Sequence, residues 1–343
     1  MRTLVSLLTL GSLAAARGAA EVPMEVKVVV ITTFEVGADT GDKPGEFQYW
    51  VEREHLDQTI KVPGMDHVVR TDGHGLLGVV SGTTSRSGLQ LQALALDPRF
   101  DFSHAYWILA GIAGVDPADA SIGSAAWARY VIDGDIAYEV DPREAAPDWP
   151  YGIMVIGADR PNRTAPPQGW EPEKMCYPLN PALVARAFEL TKEVPLLDTP
   201  EMQKYRATYV GFPNAQRPPF VLLGEVLGSN RYWHGARMTE WANDWVALWT
   251  EGRGNFVMTA MEDQGVAAAL MNLSRAGKAD FQRVLFLRTA SNYCMPAPKQ
   301  GVVDSLVAEY AGGIPAFEAE WRVGRVMVHE ILDHWDKYGP KAP

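Results

Sequence analysis

The chain has 343 residues, 42 of them Asp or Glu and 31 Lys or Arg, for a formal charge of −11 at neutral pH. A surface of that sign repels nucleic acid, whose binding depends on neutralising phosphates with Lys and Arg. Cys176 and Cys294 are the only cysteines, too few for a disulfide framework, although an oxidising compartment would permit one bridge between them.

A basic Met1-Arg2 start leads through an apolar run with Leu4, Val5, Leu7, Leu8 and Leu10 to a Gly18-Ala19-Ala20 triplet. The pattern predicts a secretory signal peptide over 1–20 and a periplasmic or secreted mature chain. The run is shorter than the roughly 20 residues that a bilayer span requires. A second apolar stretch, 105–115, stops at Asp116-Pro117, so no membrane span is expected in the mature chain.

Residues 26–33 are rich in β-branched side chains and predict a strand buried on both faces. A polar, Gly-rich loop over 35–45 follows. A strand at 76–80, a helix at 89–96 and strands at 106–110 and 125–132 come next. Residues 135–180 are rich in Pro, Asp and Glu and predict an irregular insertion into a single domain over 21–343. Beyond it come a helix at 181–191, a strand at 220–227, and helices at 239–249 and 264–275. A strand at 284–288 and a long helix at 317–338 complete the pattern. Alternating apolar strands and helices predict an α/β fold with a central mixed sheet flanked by helices.

Two familiar motifs fail on their context. Gly73-His74-Gly75-Leu76-Leu77-Gly78 fits G-x-G-x-x-G, but it runs into a strand rather than opening a helix and reads as a turn. His329-Glu330 with His334 spaces its histidines five apart, where a zinc-protease helix needs four. No G-x-S-x-G and no P-loop occur. No cofactor and no metal are expected.

Three strand ends carry residue types that are awkward in a core. The first, Ile108-Leu109-Ala110-Gly111-Ile112-Ala113-Gly114, breaks into small residues that would let a flat ligand lie against the backbone. In the second, Phe256-Val257-Met258-Thr259-Ala260-Met261-Glu262-Asp263, two acids follow an apolar run. Buried and unpaired they would be costly; Asp263 is expected to cap the next helix and Glu262 to accept from a ligand hydroxyl. The third is Arg288-Thr289-Ala290-Ser291-Asn292-Tyr293.

In this order the segments resemble the nucleoside phosphorylase and nucleosidase superfamily, and more closely the purine nucleoside permease family. Gly111-Ile112-Ala113-Gly114-Val115-Asp116-Pro117, Ile122-Gly123-Ser124, Asp133-Gly134-Asp135 and Ser229-Asn230-Arg231-Tyr232-Trp233 carry the closer likeness, along with the last two strand ends. The resemblance implies a nucleoside phosphorylase-like three-layer fold, a homo-oligomer and a purine nucleoside ligand. It implies that Gly111, Ile112, Ala113 and Gly114 lie beside the base and that Met261 and Glu262 hold the ribose hydroxyls. Tyr232 or Trp233 would stack on the purine, with Ser291 beside Asn292 at its ring.

Asn292 stands where the superfamily usually has a purine-protonating Asp. An amide can hydrogen-bond a ring nitrogen or a 6-oxo group but cannot act as a general acid, which favours inosine- or guanosine-like bases. A water-activating carboxylate is expected in the loop after the first strand. Glu46 is the choice there, and Glu35 is read as a solvated surface acid. Aligned with the phosphate-binding residues of phosphorylases, Leu109 and Ile112 offer no donors, which leaves Arg86 as the nearby cation. The expected activity is N-ribosyl hydrolysis of purine nucleosides. The rivals are a phosphate-dependent phosphorylase and a non-catalytic binding protein that serves a separate membrane transporter.

Overall fold

The strand Val28–Thr32 (β1) buries every side chain because it has parallel neighbours on both edges, Leu76–Val80 (β2) and Tyr106–Val115 (β3). The chain is seen here as a computed structural model that describes residues 22–161, 175–308 and 313–340. The expected leader and part of the expected insertion lie outside the described residues. Helices flank a mixed sheet that has 12 strands among the described residues.

β3 is the spine of that sheet. Glu225–Gly228 (β4) lies parallel to Phe256–Ala260 (β5), and β5 joins β3 antiparallel, Thr259 opposite Gly114. Val284–Tyr293 (β6) runs parallel to β3 from Trp107 to Val115. The sheet thus forks at β3, with β1 beside its first half and β5 beside its end.

Strands β3 and β6 extend five residues beyond the expected 106–110 and 284–288. The glycines of β3 make room for side chains rather than ending the strand. A methyl on Gly111 would stand 2.5 Å from Arg288 Nη1 and 2.7 Å from Glu46 Oε1, and one on Gly114 would be 2.9 Å from Thr259 Oγ1.

Two other expected strands are each split. Residues 125–132 divide into Ala125–Trp127 and Tyr130–Asp133, and 220–227 into Val221–Leu223 and β4. Both segments change branch at the same level: the first halves pair with each other, the second halves likewise. Buried Glu225 marks the switch, accepting the N–H groups of Arg129 at 2.9 Å and Tyr130 at 2.8 Å.

Apart from 181–191, which has the expected bounds, the expected helices begin earlier than expected, and the last is interrupted. Gln48–Arg53 (α1) follows the first loop, and the expected 89–96 helix starts at Arg86 (α2, Arg86–Leu96). Pro181–Thr191 (α3) is capped by Asn180. Ala236–Trp249 (α4) and Asp263–Arg275 (α5) follow. The C-terminal helix is Ile314–Asp333 (α6), broken at His334 before a short turn over Trp335–Tyr338.

α2 and α5 meet backbone to backbone, since a methyl on Gly265 would come within 2.5 Å of Ser85 Cα. The expected insertion holds some regular structure: Tyr138–Glu139 pairs with Ile153–Met154, and Cys176–Pro178 with Tyr130–Asp133. Gly73 and Gly75 have φ of +77° and +119°, the turn expected ahead of β2. Cys176 and Cys294 are buried and unbridged. Burial pushes the Cys176 thiol up to about 12 and that of Cys294 well above its ordinary value.

Candidate functional site

A cavity opens at the carboxyl ends of β1, β3 and β6, where open α/β sheets bind their ligands. Antiparallel β5 delivers Met261 and Glu262 into the same space.

Its floor is built around one cation. Arg288 interrupts the apolar run of β6 and is 1% exposed, so it must be paired. Its Nη2 donates to Glu262 Oε2 at 2.9 Å and also to Asp263, whose carboxylate takes a bond from Nε at 3.1 Å. Nη1 donates to the Ile112 carbonyl at 2.9 Å and lies 3.9 Å from Glu46 Oε1. Burial works against the Arg288 charge, but the adjacent Asp263 and Glu262 outweigh it and raise its pKa. Asp263 does start α5, yet its carboxylate is bound by Arg288 rather than capping the helix. That overturns the capping expectation.

Glu46 is 1% exposed. Oε2 accepts from Thr33 N at 2.7 Å and Thr33 Oγ1 at 2.8 Å, and Oε1 from Ile112 N at 2.7 Å. Burial raises its pKa from 4.5 to about 7. Arg288 and the backbone donors pull against that rise, and Glu262 adds to it. The segment is held from behind by Trp50, whose Nε1 donates to buried Glu320 at 3.2 Å. Glu35 is not the solvated surface acid expected. Its carboxylate accepts the N–H groups of Val36, Gly45, Phe47 and Gln48 and folds the loop that presents Glu46.

Glu262 lines the cavity beside Met261. Burial raises its pKa, against the pull of Arg288. Ile112, Ala113, Gly114, Tyr232, Trp233, Ser291 and Asn292 line the same cavity. Asn292 Nδ2 donates to the Tyr293 carbonyl at 3.0 Å, and the Ser291 hydroxyl lies 3.0 Å from its Oδ1. Gly111 is not at the surface of the cavity; it sits beneath Arg288 and Glu46 and leaves them space. Leu109 is a core residue. Arg86 is exposed on α2, away from the cavity.

Sequence reasoning gave no role to Thr33, Phe34, Thr83, Arg231, Thr259, Ala260 or Arg288, all of which face the cavity. Arg288 alone had a readable signal, a cation inside an apolar strand.

The family model for purine nucleoside permeases matches residues 25–343. The chain belongs to that family. A purine nucleoside permease of Candida albicans is 28% identical over 298 residues, covering 84% of this chain and 72% of the relative. A probable purine nucleoside permease of Schizosaccharomyces pombe is 27% identical over 258 residues, covering 73% and 74%. Among solved structures, a 5′-methylthioadenosine/S-adenosylhomocysteine nucleosidase of S. pneumoniae superposes with a TM-score of 0.52 at 19% identity, covering 91% of this permease-family chain and all of that one. One from Helicobacter pylori gives 0.51 at 13% identity, over 90% and 98%. The fold is therefore the nucleoside phosphorylase-like fold.

Proposed function

We propose that this purine nucleoside permease-family protein hydrolyses the N-glycosidic bond of purine nucleosides. The observation that carries the reading is Glu46, a buried cavity carboxyl whose pKa is raised to about 7, where a general base works best. It takes a proton from the water that attacks the ribose anomeric carbon. Glu262 accepts hydrogen bonds from the ribose hydroxyls beside Met261, and the negative floor favours the oxocarbenium character that develops on the sugar. Tyr232 and Trp233 flank the base, with Ser291 and Asn292 beside its ring.

Water rather than phosphate is the nucleophile in this reading. Three carboxylates meet one guanidinium in the floor, and the other cation at the cavity, Arg231, is engaged by Glu139. A dianion placed there would face repulsion and an uncompensated desolvation cost. Incubation with inosine should release hypoxanthine and free ribose at a rate indifferent to added phosphate. Ribose 1-phosphate as the main product would overturn the hydrolytic assignment.

A second reading draws on the name of the relatives. Among the described residues no helix is long and apolar enough to cross a membrane, so a role in uptake would mean binding nucleosides for a separate transporter. The same incubation separates the two, since tight inosine binding without release of base favours the carrier.

Glu262→Ala should weaken nucleoside binding about ten- to a hundredfold, the value of one lost charged hydrogen bond, while free purine bases bind nearly as before. Unchanged nucleoside affinity in calorimetry would remove Glu262 from the ribose.

A further inference from the structure

Between β4 and α4 the segment 229–234 crosses the cavity, and most of its side chains are tied down. Ser229 Oγ and Asn230 N donate to the Asp135 carboxylate, both at 2.9 Å, and Asn230 Oδ1 accepts from Ser85 N at 2.7 Å. Arg231 pairs with Glu139. Trp233 packs on Trp241 and Phe256, with ring centroids 5.7 and 6.0 Å away, and the His234 ring lies 3.0 Å from Ser305 Oγ. Tyr232 differs. It faces the cavity, which Asn292 also lines, and is 57% exposed.

The Asn292 amide is oriented by its surroundings. The Tyr293 carbonyl can only accept, so the group 3.0 Å from it is the NH2, which leaves Oδ1 toward Ser291. The second amide N–H remains for the phenol oxygen, and such a donated bond favours the phenolate.

Purine release needs either a proton delivered to the base or an anion held in place. Of the other ionisable side chains at the cavity, Glu46 and Glu262 are gathered on Arg288. Arg231, always charged, does not give up its proton in water. That leaves one group at the Asn292 end with a proton to give. We propose that Tyr232 is a catalytic residue, the general acid that protonates the departing purine, with Asn292 supporting the phenolate.

This assignment rests on the nucleosidase reading. The C1′–N9 bond breaks with its electron pair going to the base, and the Tyr232 O–H proton passes to a ring nitrogen. The attacking water forms the new C1′–O bond and gives its proton to Glu46; solvent then returns a proton from Glu46 to the phenolate. Burial, with Cys294 and Tyr205 acting in the same direction, raises the Tyr232 pKa above the ordinary tyrosine value. A purine anion is of comparable basicity, a match that suits proton transfer.

Tyr232→Phe keeps the ring and removes only the proton, and at an exposed position it should leave the fold intact. It should be compared with wild type on inosine and on 4-nitrophenyl β-D-ribofuranoside, whose leaving group departs as a stable phenolate without protonation. Turnover of inosine should fall about a hundredfold, the lower end of a general-acid contribution, with hydrolysis of the nitrophenyl riboside retained. Equal losses on both substrates, or no loss on inosine, would overturn the assignment. A wild-type protein that cleaves neither substrate would sink the nucleosidase reading itself and take this inference with it.

Discussion

Glu46→Gln is expected to lower inosine turnover by about 10²–10⁴-fold, the usual contribution of a positioned base, while nucleoside binding is retained. The amide is nearly isosteric with the carboxyl but cannot take a proton from water. The same variant carries a signature in stability. Glu46 titrates near 7 in the folded protein against an ordinary 4.5, so the folded state binds more protons between those values. Its stabilising effect is full below pH 4.5 and is lost as pH rises through 7. The variant has no such proton to lose, so its thermal midpoint should exceed that of wild type at pH 8 and not at pH 4. Full turnover in Glu46→Gln would move the base elsewhere in the cavity, whatever the midpoints do.

The second large effect is on folding. Arg288→Met should destabilise the protein by about 3–5 kcal/mol at pH 8, the cost of leaving buried charge without its partner. Asp263, Glu262 and Glu46 all face that guanidinium, and among the described residues no other cation lies within 4 Å of their carboxylates. Burial already raises the pKa of Glu46 and Glu262 while Arg288 pulls it down, so without the cation these two take up protons as the pH falls and the deficit should shrink toward pH 5. Denaturant titrations at both pH values measure it. A loss under about 1 kcal/mol at pH 8, the scale of an ordinary surface change, would mean that the floor is not held by this pair network.

The chain order of strands and helices was legible because the pattern is strong where both faces are covered, as along Val28–Thr32. Strand ends were not. Gly111 and Gly114 read as the break at a strand end because their smallness answers to Glu46, Arg288 and Thr259, residues from 65 to 177 positions away that no local window contains. The two loop acids were equally ambiguous. Glu46 was chosen over Glu35, but the difference between them lies in how the loop closes on the Glu35 carboxylate.

Asp263 misled for the opposite reason: a local explanation was at hand, a first-turn acid on a helix. The arginine that claims it sits 25 residues later in sequence. Arg288 carries no partner in its own strand segment, although a cation in an apolar run demands one.

The contacts that build the cavity floor are far apart along the chain: Ile112 reaches back 66 residues to Glu46, and Arg288 reaches 176 back to Ile112. Such non-local pairings form late and slowly in folding, because long loops must close before they contribute. No short segment of the chain contains the whole floor, which needs Glu46 and Ile112 as well as Arg288 and its acids, so the unfolded ensemble has no comparable affinity for a ligand. Occupancy is therefore linked to global unfolding, and a ligand held at a hundred times its dissociation constant adds about 2.7 kcal/mol to stability. Melting temperature becomes an assay for what this cavity recognises, one that works for a hydrolase and a carrier alike.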